Sequence, residues 1–393
     1  MISVDAALAR IVALLPRMPV ETVPLRAASG RWMAEPVAAR LTQPPFDASS
    51  MDGYAVRDAD IAPGAVLTVT AEAQAGRRAD MVLHPGESIR IFTGAPMPEG
   101  ADRVVIQEDV TRDGDRITLH DDLDTNRYVR PAGADFREGD SLAPGPVTPQ
   151  RLALLAAMNV AQVPVARRPT VALISTGDEL VVPGDTPGPD QIVSSNIYGV
   201  AALMEAAGAT PRILPIARDT AQSLRATLDL ARDADLIVTL GGASVGDHDL
   251  VAKVGGEAGL DLDFYKVAMR PGKPLMAGRF GESVLVGLPG NPVSAMVCAH
   301  IFLRPAIAHM LGGTGTPLPR HRAALAAAIG PNGGREHYMR ATRTPHGIEV
   351  ATRQDSALLT VLDRADCLVV RPPHDPAREA GEEVDYIELD RTH

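Results

Sequence analysis

Three short Gly-rich turns carry the residues in this chain whose types and spacing best suit chemistry on an anionic ligand. They are Ser175-Thr176-Gly177-Asp178-Glu179, Gly241-Gly242-Ala243-Ser244-Val245-Gly246-Asp247-His248-Asp249 and Gly287-Leu288-Pro289-Gly290-Asn291-Pro292-Val293-Ser294. Paired glycines let backbone amides approach phosphate oxygens closely. Carboxylates beside such a cradle repel the ligand unless a divalent cation sits between them, which makes Asp247 and Asp249 candidates for Mg²⁺ chemistry. Glu179 and Asp219 end neighbouring strands and point to the same edge. Asp219 also has a bland alternative, since an acid before a helix starting at Thr220 reads as its cap.

The segment 266–274 gathers Lys266, Arg270 and Lys273 in an otherwise acidic chain, with Pro271 and Pro274 stiffening it. Held cations of this kind make an anion clamp at little ordering cost; the plain alternative is a solvated turn. Pro292 in the first turn of a helix adds an anion-friendly terminus. Farther upstream, Phe46-Asp47-Ala48-Ser49-Ser50-Met51-Asp52-Gly53-Tyr54 puts two acids, small residues and an aromatic in a loop introduced by prolines. That composition suits contact with a ligand as well as it suits a capped turn.

These turns need a scaffold that brings them together. Residues 168–312 alternate strand and helix, with strands at 170–174, 212–216, 236–240 and 284–286 and helices at 195–207, 220–233 and 292–311. Ser195 and Asn196 read as helix N-caps, and Gly208 as a left-handed stop. The alternation predicts a parallel sheet with helices on both faces, whose turns share one ligand-binding edge. The expected ligand set on that edge is Ser175, Thr176, Gly177, Glu179, Ser195, Asn196, Gly241, Gly242, Ser244, Gly246, Pro289, Gly290, Asn291, Pro292 and Ser294.

The rest of the chain reads as three further pieces. Helical spacing at 4–15 and a similar run at 150–158 are expected to pack on each other as a split helical domain, 1–40 and 138–166. Between them, 41–137 is strand-rich, with 66–70 and 88–92 as strands and 112–116 as a hairpin turn. After the 167–315 α/β domain, 316–393 returns to short strands at 347–352, 367–371 and 385–389, which predicts a small β-barrel.

Length and composition narrow the function classes. At 393 residues several domains are expected, and 45% hydrophobic with 22% charged residues is ordinary globular usage. A net charge of −11 and 3% aromatics argue against binding nucleic acid. Cys298 and Cys367, the two cysteines, read as small buried side chains rather than ligands or nucleophiles. The start lacks a basic flank, and the most apolar stretch, 293–311, is interrupted by His300, Arg304, Pro305 and His309. A soluble, cytoplasmic enzyme without membrane contact is expected.

Taken together, FDASSMDGYAVR at 46–57, FTGAP at 92–96, STGDEL at 175–180, GGASVG at 241–246, RPGKP at 270–274 and GLPGNPVS at 287–294 resemble the molybdopterin molybdenumtransferases of the MoeA type, which include the E domain of gephyrin. The strings run nearly the length of the chain in the expected order. The resemblance implies insertion of molybdate into adenylylated molybdopterin with Mg²⁺-dependent release of AMP. It implies Asp219 and Asp249, with Glu179 nearby, as holders of Mg²⁺ and the pyrophosphate-bearing ligand, and Lys266 as a binder of its anionic groups. It further implies a molybdate pocket of Arg270, Lys273 and Pro274 joined by Arg340 and Ser356. Asp52, Thr93 and Asp135 would reach the α/β site of a partner subunit, so a homodimer is implied, as are transient contacts with the adenylyltransferase and recipient molybdoenzymes. Two departures stand out: Arg270 occupies a position where relatives commonly carry Lys, and Gln354-Asp355-Ser356 is poor in Gly. Two other readings stay open: an adenylyltransferase or pyrophosphatase built on the same α/β domain, and a non-enzymatic scaffold.

Overall fold

The computed structural model describes residues 1–242 and 250–389. The chain forms two compact units, one of residues 22–164 and one joining residues 1–21 to 165–393.

In the second of these, a six-stranded sheet carries the expected turns. Its order is Thr210–Ile213, Thr170–Ser175, Leu236–Leu240, Ser283–Leu288, Met276–Phe280 and Leu260–Tyr265. The first four strands are parallel, as the alternating pattern predicted. The last two are joined by antiparallel pairings, which the sequence reading did not foresee. Leu236–Leu240 and Ser283–Leu288 are buried at every position, as strands covered on both faces must be.

Local chemistry explains the helices that follow. Thr220 caps the Ala221–Asp229 helix by accepting from the Ser223 amide, so Asp219 is free of that task. Ser195 occupies the N-cap position of the Asn196–Ala206 helix as expected but makes no side-chain cap bond, and Asn196 lies inside the helix, which corrects the reading of Asn196 as a cap. Gly208, at φ +98°, stops the chain there as predicted. The expected single helix over 292–311 is interrupted by a π-type turn at Ala299–Leu303. Pro305 has no N–H to give the carbonyl one turn back, and a wider turn is the ordinary accommodation. By length and composition Pro292–Leu311 is the one helical run among the described residues able to cross a membrane, yet most of it is buried in this unit.

The opening helix, Val4–Leu14, buries Val4, Ala7, Leu8 and Ile11. It packs against the Arg304–Leu311 helix and the Met276–Phe280 strand, and within the other unit the Pro149–Ala157 helix lies on the Leu25–Ala28 turn. Amphipathic spacing fixes that one face is buried, not what covers it.

C-terminal strands form a second sheet in the order Met269–Arg270, Glu336–Thr344, Cys367–Arg371, Glu383–Glu388 and His321–Ala324, with Gly347–Val350 beside Glu336–Thr344. It curls far enough for Leu325 to bridge Ile348, around a core of Leu325, Ala341, Ile348, Cys367, Val369 and Val384. Both cysteines are buried and free, and burial pushes each thiol well above its ordinary range.

Residues 22–164 contain their own six-stranded sheet, in the order Arg103–Ile106, Gly53–Val56, Glu87–Ile91, Val66–Ala73, Arg116–Leu119 and Val110–Asp113. The hairpin turn expected at 112–116 is present, closed at Gly114 with φ +60°.

Candidate active site

Three turns meet at the C-terminal edge of the parallel strands. Gly241 and Gly242 take φ +95° and +68°. A Cβ at 241 would lie 2.8 Å from the Thr176 carbonyl oxygen, and one at 242 would lie 2.5 Å from Val251 Cγ2. A Cβ built on Gly290 would lie 3.4 Å from Gly241 Cα, so the second and third turns touch through backbone. Asn196 ties the third turn down by donating Nδ2 to the Gly290 carbonyl at 3.0 Å. Between them opens a cleft of about 740 Å³, lined from the expected set by Thr176, Gly177, Glu179, Ser195, Asn196, Asp219, Gly241, Gly242, Pro274, Pro289, Gly290, Asn291 and Pro292.

Other members of the set lie elsewhere. Ser175 is buried behind the cleft, its hydroxyl 3.0 Å from that of Ser194, and Ser294 is buried within its helix. Ser244, Gly246, Asp247 and Asp249 lie outside the described residues. Lys253, on the Leu250–Glu257 helix, lines the cleft and was missed; its one sequence signal is that it is a cation on the helix after the Gly pair.

The two acids of the cleft are positioned by their neighbours, of which Arg218 was missed. Asp178 accepts the Asp219 amide at 3.0 Å. Arg218 donates Nη1 to the carbonyls of Asp178 and Leu180, each at 3.1 Å, clamping the turn that carries Glu179. Gly177 beneath it takes φ +150°, a conformation that L side chains rarely adopt.

The cationic segment is folded by a different set of contacts. Val267 bridges Ile2, and Ala268 donates its amide to the Ile2 carbonyl at 2.8 Å. Met269–Arg270 then joins the C-terminal sheet, pairing in parallel with Glu336 and His337. Lys266 adopts φ +74°, with its ammonium 4.8 Å from the Tyr265 ring centroid. Gly272 turns the chain at φ +110°, directly over Cys298.

Arg340 is fully buried, and its Nε and Nη1 have no hydrogen-bond partner. Its Nη2 donates to the Asp355 carbonyl at 3.0 Å. Next along, Ser356 accepts Asn291 Nδ2 at 3.1 Å, and its carbonyl accepts the Val293 amide at 3.0 Å. Arg340 and Ser356 are thereby linked to the cleft wall. Burial, then Arg270, pulls the Arg340 guanidinium down to about 10, against the opposing Asp355. A buried cation with two idle donors has the chemistry to accept an anion.

In the 22–164 unit, Asp52 Oδ1 accepts both the amide and the hydroxyl of Thr93 at 2.8 Å. The Thr93 amide, then its hydroxyl, hold the Asp52 carboxyl below its ordinary range, with Arg90 helping and burial opposing. Arg90 itself stacks over Tyr54 and Phe92, at 5.0 and 4.8 Å from their centroids. Asp135 is exposed on another turn, bonded through its amide to the Gln43 carbonyl at 3.1 Å. For Thr93→Val we expect a loss of activity of only a few-fold, because the amide bond survives. A depressed carboxylate pKa leaves Asp52 ionised at neutral pH with or without the hydroxyl, so the pH–rate profile above about pH 5 should keep its shape. A new acid limb near neutrality would show that the hydroxyl controls charge rather than orientation.

The chain matches the MoeA N-terminal region (domain I and II) over residues 2–159, a probable molybdopterin binding domain over 172–309, and the MoeA C-terminal region (domain IV) over 322–389. It is 40% identical over 304 residues to a molybdopterin molybdenumtransferase of Nostoc sp., covering 75% of this chain and 70% of that one. With a molybdopterin molybdenumtransferase of Staphylococcus aureus it is 31% identical over 399 residues, 98% and 95% of the two chains. The chain belongs to the molybdopterin molybdenumtransferase family. Among solved structures it is similar to the molybdopterin biosynthesis MoeA protein of Pyrococcus horikoshii, with a TM-score of 0.86 at 26% identity over 99% of this chain and 100% of that one. The split α/β-plus-β architecture expected from the sequence is that of this family.

Proposed function

We propose that this chain is a molybdopterin molybdenumtransferase that inserts molybdate into adenylylated molybdopterin and releases AMP. The observation that carries the reading is the link from the cleft, through Asn291 and Ser356, to a buried guanidinium with two idle donors. A long anionic ligand in the cleft and a small oxyanion at Arg340 would then be neighbours.

In this reading the Gly241–Gly242 amides and the start of the Pro292–Cys298 helix hold the pyrophosphate-bearing ligand. Arg270, Lys273 and Arg340 hold molybdate, with Pro274 and Ser356 completing the pocket, and Lys266 binds anionic groups of the pterin. Splitting a phosphoanhydride asks for charge neutralisation and alignment more than for a strong nucleophile. Mg²⁺ when bound supplies part of that neutralisation. Among the described residues no group of three Asp, Glu, His or Cys side chains is arranged to hold a metal. Mg²⁺ keeps several waters and takes one or two carboxylates plus substrate phosphates. Asp219 and Glu179 on the cleft wall fit that need, and Asp249 lies outside the described residues.

The same proposal includes a homodimer in which Asp52, Thr93 and Asp135 serve the partner subunit's α/β site. Asp52→Ala and Asp219→Ala should each slow turnover by about 10²–10³. Mixed and re-associated, they should recover activity in the heterodimer; absence of recovery in a verified heterodimer would argue against a shared site. The direct test is anaerobic incubation with adenylylated molybdopterin, Mg²⁺ and molybdate, following AMP and bound molybdenum together. Molybdate-dependent AMP release with metal retained is the expected result. AMP release indifferent to molybdate would overturn it in favour of a pyrophosphatase.

A further inference from the structure

The described residues lining the cleft include two carboxylates, Glu179 and Asp219, and a single cation, Lys253. Lys253 lies on the Leu250–Glu257 helix, whose Val251 and Val254 are buried in the core beneath it. Leu250 and Lys253, three residues apart, share another face of that helix, and both line the cleft. The helix presses on the Gly241–Gly242 turn, since a Cβ built on Gly242 would lie 2.5 Å from Val251 Cγ2. Lys253 is exposed, and among the described residues no hydrogen bond or ion pair occupies its ammonium. Neighbouring cations are engaged. Arg218 donates Nη1 to the Asp178 and Leu180 carbonyls, and Arg225 pairs with Glu257 at 3.0 Å.

Sheet order decides which end of a ligand this ammonium serves. The Asn196–Ala206 helix crosses from Thr170–Ser175 outward to Thr210–Ile213, and Ala221–Asp229 crosses back to Leu236–Leu240. Right-handed crossovers in opposite directions put their helices on opposite faces of a sheet. Leu250–Glu257 packs beside Ala221–Asp229, and Pro292–Cys298 packs beside Asn196–Ala206. Lys253 and Asp219 therefore belong to one side of the cleft. Asn291, which leads through Ser356 to Arg340, belongs to the other.

We propose that Lys253 is the phosphoryl-binding cation for the nucleotide half of the ligand, across the cleft from the oxyanion end at Arg340. The inference rests on the adenylylated-molybdopterin reading above. A pyrophosphate ester on this side meets two carboxylates, which repel it. Mg²⁺ when bound offsets part of that repulsion, and an ammonium on the same wall adds positive charge that needs no metal. Lysine suits the task, because its compact charge carries three donors on a flexible stem that can follow a phosphoryl group. Cleavage leaves the nucleotide with a second phosphate charge, so Lys253 holds the product as well as the substrate. AMP alone is then a sufficient probe.

Equilibrium binding of AMP to the full chain, with Mg²⁺ present, tests this. Lys253→Met should bind AMP about tenfold more weakly than wild type at low ionic strength. Lys253→Arg, which keeps the charge, should stay within about threefold. The gap between wild type and the Met variant should shrink as salt is raised. Melting temperatures should agree across the three chains, because an exposed helix position exchanges Lys for Met at little cost. Equal affinity in the Met variant, or an Arg variant as weak as Met, overturns the inference. Unchanged AMP affinity with a raised KM for the adenylylated substrate also overturns it, and moves the ammonium to the pterin's phosphate. A wild-type chain that binds no AMP overturns the inference, while molybdate-dependent turnover still judges the functional reading. Lysine-dependent AMP binding without molybdate-dependent turnover overturns that reading and leaves the nucleotide site standing.

Discussion

Arg340→Met should remove the molybdate dependence of turnover, lowering the molybdate-stimulated rate by about 10³, while making the protein more resistant to heat. The two effects have one origin. In the free protein this guanidinium is fully buried, and only Nη2 has a partner. A buried donor left without an acceptor costs about 1–3 kcal/mol, and more when charged. Met fills similar volume along an unbranched apolar chain, so replacing a poorly compensated buried charge is expected to stabilise the fold by about 1–3 kcal/mol. Paired measurement of melting temperature and molybdate-dependent AMP release tests this. A variant that loses both stability and activity would mean that Arg340 serves the fold, and that its idle donors are not reserved for a ligand.

Gly272→Ala is expected to damage the same response from the other side. The residue sits at φ +110°, where an L side chain is strained, and its Cβ would lie 2.4 Å from Cys298 Sγ and 3.1 Å from Met269 Sδ. Cys298 is fully buried, so the turn rather than the thiol must move. Displacing Arg270 and Lys273 by about 1 Å should cost about 10² in molybdate-dependent rate, with about 1–3 kcal/mol of stability lost. Adding Cys298→Ala removes the collision but not the backbone strain. The double variant should therefore regain part of both losses, and non-additivity is the readout. Full activity in Gly272→Ala would show that the turn does not need its present shape.

Much of this is legible in the sequence. The alternation over 168–312 and the placement of glycines after apolar runs were enough to bring three turns to one edge, because a parallel sheet leaves its connections no other place. The strand-rich insertion and its hairpin followed from alternation and from Gly114. What escaped has identifiable causes. Met276–Phe280 and Ser283–Leu288 are joined by Gly281 and Glu282, with Gly281 at φ +61°, a two-residue hairpin signal that was available and passed over. Burial of Arg340 was not available, since such residues sit on the surface far more often than in a core. Nor could one sequence show that Ile2 braces the cationic segment, because the Ile2–Val267 bridge joins residues far apart in the chain. Arg218 was invisible for a related reason: a side chain that serves carbonyls leaves no motif.

Met269–Arg270 belongs by hydrogen bonding to the C-terminal sheet, although in sequence it lies among strands of the α/β sheet. A chimera made by exchanging everything after residue 315 would import a sheet while leaving one of its edge strands behind on the recipient. Its parallel partner, Glu336–Thr344, would come from another lineage and would have to accept a foreign Arg–His register. The transplantable part of this molecule is therefore not a contiguous stretch of chain. It is the cationic loop together with the barrel, and evolution or an engineer would have to move the two as one.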